Sequence, residues 1–130
     1  DDGGQDGVWF EFDTTATALW RTNTSNAATT QADNTATTVV SQQWYILDIV
    51  LIAGVAAYFW VDGDGPFALT EAIGAGTIPT TAVAFEPIMH VLTRAASVRA
   101  AMTDWVHLEW FAEATDRIDL DLLRYPITAT

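Results

Sequence analysis

The chain has 130 residues, suited to one compact domain, and half of them are hydrophobic, enough to bury a core. It has no cysteine, so disulfides, thiol nucleophiles and Cys-ligated zinc are excluded. Seventeen acidic residues face five basic ones, a net charge of -12, and such a field repels nucleic acid phosphates and anionic lipids.

The first residues, Asp1 to Asp6, are acidic and Gly-rich, unlike a signal or transit peptide. They open an acidic N-terminal segment, residues 1–7. "VWFEFD" (residues 8–13) is aromatic-rich and predicts a strand, and "TATALWR" (residues 15–21) alternates in the same way. Residues 22–36 are almost entirely Thr, Asn and Ala with no apolar period, which predicts a long surface loop leading into "VVS". Asn23-Thr24-Ser25 matches the N-glycosylation sequon, meaningful only if the chain is exported.

"WYILDIVLIAGVAAYFWV" (residues 44–61) carries one charge, Asp48, and poses a choice between a membrane-spanning helix and a β-hairpin. Eighteen residues are marginal for a span. An Asp inside one costs about 2.5–3.5 kcal/mol on insertion scales. The flanking basic residues that would orient a span are missing, since the nearest are Arg21 and Arg94. Ile46, Ile49, Val50, Ile52, Val55 and Val61 are β-branched, and Ala53-Gly54 sits where a hairpin would turn. Two antiparallel strands follow, residues 44–52 and 55–62, with a single span over 44–61 as the alternative. Asp62-Gly63-Asp64-Gly65-Pro66 makes the next turn.

Further strands are predicted over residues 67–73, 81–87, 88–93, 97–103 and 104–114. The turns between them recur every eight to twelve residues or so, the spacing of an antiparallel β-sandwich or barrel. The predicted fold is therefore all-β: a single β-sandwich domain over residues 1–130, with about eight strands, a long N-terminal loop and a C-terminal arm over 115–130. In that arm Ile118, Leu120 and Leu122 alternate with Asp119 and Asp121, as a last strand or an arm pairing with a neighbouring subunit would.

Little in the chain signals catalysis. A calcium-binding EF-hand loop starting at Asp62 would place Asp64 correctly but would put Pro66 and Ile73 where ligands are required. Asp62 and Asp64 remain a looser candidate cation site, against a hydrated tight turn. His107 and Glu109 share one face of a predicted strand, and with His90 they could hold a metal, but they have no signature spacing. No phosphate loop, nucleophile elbow or metalloprotease helix is present. The expectation is a non-enzymatic protein with no cofactor. Its large aromatics fill a small sandwich and its contacts, which makes Trp9, Trp20, Trp105, Trp110, Phe111 and Tyr125 the interface candidates.

All five basic residues are arginine, lysine is absent, and twelve of the seventeen acids are Asp. Short, strongly hydrated carboxylates repel one another in dilute buffer and are screened by concentrated salt. The composition resembles that of proteins from halophilic archaea and their viruses. The order of "WYILDIVLIAG", "AAYFWVDGDG", "FALTEAIGAG", "FEPIMHVL", "SVRAAMTD" and "WVHLEWFAEA" within residues 41–114 resembles the jelly-roll-like sandwiches of small virion structural proteins of tailed viruses. That is a pattern of strands and carries no functional residues across. The resemblance implies a capsid decoration (cement) or surface-projection protein located on the virion, at capsid surface or tail. Its partners would be capsid or tail proteins and further copies of itself, a trimer by family habit, with no nucleic acid and no membrane. The alternatives are a host-recognition or carbohydrate-binding module of a spike or tail, with exposed Trp or Tyr beside Asp62 and Asp64, and a small virion membrane protein spanning at 44–61.

Overall fold

A computed structural model describes residues 6–80 and 102–107. The chain divides into two compact units, Asp1–Phe85 and Glu86–Thr130, and each is described by itself. The first unit is all-β, with strands β1 (Gly7–Glu11), β2 (Leu19–Asn26), β3 (Thr29–Thr38), β4 (Leu47–Ile52), β5 (Ala56–Val61) and β6 (Asp64–Thr70). They form two antiparallel three-stranded sheets, β1-β2-β3 and β4-β5-β6, each a meander of consecutive strands.

The two sheets pack face to face, the layering of a β-sandwich. Ala57, Phe59, Leu69 and Ile78 form the buried centre, with Val8, Phe10, Leu51 and Phe67 against it. The Phe10 and Phe59 rings meet edge to face, 5.2 Å apart, and join the sheets directly. The segment after β6 closes the end of the core. Gly54 N donates to Pro79 O at 2.8 Å, and Asn26 Nδ2 donates to Gly76 O at 3.3 Å. Thr77 Oγ1 bonds Gln31 Oε1 at 3.1 Å, and the Glu71 carboxylate accepts from Gly76 N and Ile78 N. Because the segment is held to both sheets, it places Ile78 in the core.

The hairpin within residues 44–61 is present as β4 and β5, so this stretch is not a helical span. The strands are shorter than predicted: β4 starts at Leu47 rather than at 44. No helix among the described residues is long and apolar enough to cross a membrane. Gly54 takes φ 64° at the hairpin turn, a conformation that glycine adopts without a Cβ penalty. The next turn is tighter than its sequence suggests. Asp62 and Gly63 make it, while Asp64 and Gly65 already belong to β6. Gly65 has φ 141°, and a Cβ there would lie 2.6 Å from Phe59 O, so only glycine lets β6 approach β5.

The largest departure from the sequence reading is residues 22–36, predicted as a loop. They form most of the β2–β3 hairpin. The β-branched threonines supply strand propensity without the apolar alternation that usually marks a strand. Thr22 and Thr35 are buried, and their hydroxyls donate to Asp33 O at 3.3 Å and Trp20 O at 2.9 Å, so the sheet absorbs their polarity. The turn is made by Ala27 and Ala28 at φ 48° and 66°, without the Gly or Asn that signals such a turn. The Asp6 carboxylate accepts from Ala27 N. The strand predicted at 15–21 starts only at Leu19. Before it, Asp13 holds a local turn, its Oδ1 accepting from Thr15 N at 2.9 Å.

Of the strand predicted at 104–114, residues 104–107 are described, and they carry no strand. They are exposed. The strands predicted at 81–87 and 88–93, most of that at 97–103, and the arm at 115–130 lie outside the described residues.

Candidate functional site

Among the described residues, the most distinctive surface of the first unit is the β4 edge of the second sheet. Among the described residues β4 pairs only with β5, so no described strand lies along its other side. Such an edge is usually blunted by lysine, proline or a bulge. Here the strand reads Leu-Asp-Ile-Val-Leu-Ile, with one charge and regular pairing along its whole length. Leu47 and Ile49 point to the inner face, opposite the buried pair Val61 and Phe59, yet remain 38% and 37% exposed. Just before the strand, Trp44 is 63% and Ile46 56% exposed, and Val40 is exposed as well.

The surrounding structure holds these side chains outward. Tyr45 turns back into the sandwich, its ring 5.6 Å from that of Trp20. Its hydroxyl accepts from Val40 N at 2.6 Å and donates to Thr38 O at 3.3 Å. Trp20 in turn contacts Phe10 and Phe12, so an aromatic chain runs from Phe59 in the core to this surface. With Tyr45 anchored, its neighbours Trp44 and Ile46 project away from it.

The backbone of the edge can be read from two bonds. Asp62 N donates to Ile46 O at 2.8 Å, and Val55 N donates to Ile52 O at 2.9 Å. In an antiparallel pair bonding alternates, so the even-numbered residues 46 to 52 bond toward β5. The N–H and C=O groups of Leu47, Ile49 and Leu51 therefore point out from the sheet.

Asp62 Oδ1 accepts from Ile46 N at 2.8 Å, which fixes the start of β4. No group of three or more His, Cys, Asp or Glu among the described residues is placed to hold a metal. Of the aromatic residues near this turn, Trp60 is half-buried and close to Tyr58, and Trp44 is exposed. His107 is exposed, while His90 and Glu109 lie outside the described residues.

The interface candidates separate. Trp9 is 38% exposed, on the face of the first sheet that also carries Glu11, Arg21, Asn23, Ser25, Ala32 and Asn34, of which Asn23 and Ser25 are buried. Trp20 is partly buried and belongs to the aromatic chain. Trp105 is exposed in the second unit, beside Met102 and Val106. Trp110, Phe111 and Tyr125 lie outside the described residues. Asn23, the sequon asparagine, is only 6% exposed in mid-strand, so its side-chain nitrogen is hidden in the folded chain. A shallow polar depression of about 260 Å³ beside Arg21 is lined by Thr17, Asp33 and Asn34 and lacks an acid–base pair or nucleophile with its base.

Sequence reasoning did not single out Leu47 and Ile49 as exposed. An alternating apolar strand looks the same at the centre of a sheet and at its edge, and only the strand order distinguishes them.

Comparison with family models, with curated proteins and with solved structures finds no match.

Proposed function

We propose that the chain is a non-enzymatic structural protein that acts through protein–protein contacts, as a decoration or surface-projection protein on the virion of a halophilic archaeal virus. The carrying observation is the apolar edge of β4 with Trp44 and Ile46 beside it, on a chain of net charge -12. An acidic protein would otherwise dilute such a surface with charge, and exposed apolar patches of this kind mark contact sites. Concentrated salt screens the repulsion between two acidic partners and strengthens apolar association, so both features serve a protein that assembles in brine.

The virion setting rests on the resemblance of residues 41–114 to small virion sandwich proteins. The jelly-roll-like strand order and a total of about eight strands belong to the same proposal, as does assembly with capsid or tail proteins and with further copies of the chain.

Sedimentation equilibrium in about 3 M salt, without detergent, tests the contact reading. The expected result is a concentration-dependent species heavier than the 14.1 kDa monomer. A monomer at every concentration would contradict it.

A further inference from the structure

We propose that two copies of the chain join edge to edge through β4, antiparallel about a two-fold axis at Ile49, merging their second sheets into one continuous sheet. This rests on the contact reading above and names its partner as a second copy.

The edge is complementary to itself in three respects. Its outward backbone groups belong to Leu47, Ile49 and Leu51. With Ile49 opposite Ile49 of the second copy, Leu47 falls opposite Leu51 on both sides of the axis. All three residues then exchange bonds, about six in total. Residues of the same parity pair, so the inner faces of the two sheets run on, and Leu47, Ile49 and Leu51 of both copies form a single apolar row.

Charge selects the register. Asp48 is the sole charge on β4, and with the axis at Ile49 it faces Val50 of the second copy. An axis at Asp48 would set the two carboxylates opposite each other, which is destabilising. An axis at Val50 would bring Leu47 opposite Ala53, beyond the end of the strand, and leave fewer bonds.

The flanks extend the contact. In the same register Ile46 lies opposite Ile52, and Trp44 opposite Gly54, where a side chain is lacking and the next residue, Val55, is exposed. Trp44 and Ile46 thus gain cover over the β4–β5 turn of the second copy. Strand pairing alone would fall short of the roughly 1,200 Å² of a stable interface, and the exposed Trp44 and Ile46 add apolar area to it.

Cysteine crosslinking tests the register, because the chain has no cysteine of its own. In a bonded antiparallel pair the Cα atoms lie about 5.5 Å apart, within disulfide range. Ile49→Cys should oxidise to a covalent dimer in about 3 M salt, at least about tenfold more than Leu47→Cys, whose two copies would lie on the order of 13 Å apart. Both variants should keep the β-rich circular dichroism of the parent, and this is checked first. Val50→Cys crosslinking in preference to Ile49→Cys would overturn the axis. If the parent chain is oligomeric but Ile49→Cys does not crosslink, the contact reading stands and the β4 pairing is wrong. A monomeric parent removes both.

Discussion

Replacing Phe59 by alanine should cost the first unit a large part of its stability. Phe59 is fully buried at the centre of the core, and its ring is the link to Phe10 across the two sheets. Among the described residues the other buried apolar side chains are Ala56, Ala57, Val61, Leu69, Ile78 and Pro79. They cannot collapse into the space a phenyl ring leaves, and a core Phe→Ala change costs about 3–5 kcal/mol. Against a typical domain stability of about 5–15 kcal/mol, that is roughly a fifth of the total or more. The thermal midpoint in high salt, followed by circular dichroism, should fall by about 15–30 °C. A fall of only a few degrees would mean that Phe59 is not the joint between the sheets.

Diluting the salt should have an effect of similar size. The described residues include Asp6, Glu11, Asp13, Asp33, Asp48, Asp62, Asp64, Glu71 and Asp104, with Arg21 as their one arginine. Arg21 is paired to Glu11 at 3.4 Å, both partly exposed. A surface pair of this kind contributes about 0–1 kcal/mol and cannot offset repulsion among the other carboxylates. The screening length is about 3 Å at 1 M salt and about 10 Å at 0.1 M, so dilution turns on interactions that brine suppresses. Moving from about 3 M to about 0.1 M salt should lower the midpoint by about 10 °C or more. An unchanged midpoint would remove the argument for a protein adapted to brine.

The second sheet was largely legible in the sequence. β-branched and aromatic residues at 46–61 outweighed the low charge that suggests a membrane span, and Ala53-Gly54 marked the turn. The first sheet was legible only at its start. β1 is aromatic, but β2 and β3 are built from Thr, Asn and Ala, and their turn is made by two alanines in the left-handed region. Composition there indicates a loop, and only cross-strand pairing, with threonine hydroxyls bonded to neighbouring carbonyls, makes it a sheet. The candidate site was half legible. The apolar character of Trp44, Ile46 and Ile49 is plain in the sequence, but their exposure depends on β4 ending the strand order. The sequence marks Asp62 and Asp64 as a turn or a loose cation site, and it does not show that Asp62 also serves as a backbone acceptor for Ile46.

The account turns on whether the outward amides of β4 are covered by another copy. Hydrogen exchange of the Leu47, Ile49 and Leu51 amides, followed against protein concentration in about 3 M salt, reads this directly. Protection of these three should rise with concentration, while that of Phe59, inside its own sheet, should stay constant. Exchange of the three at the rate of free amides at every concentration would contradict the account.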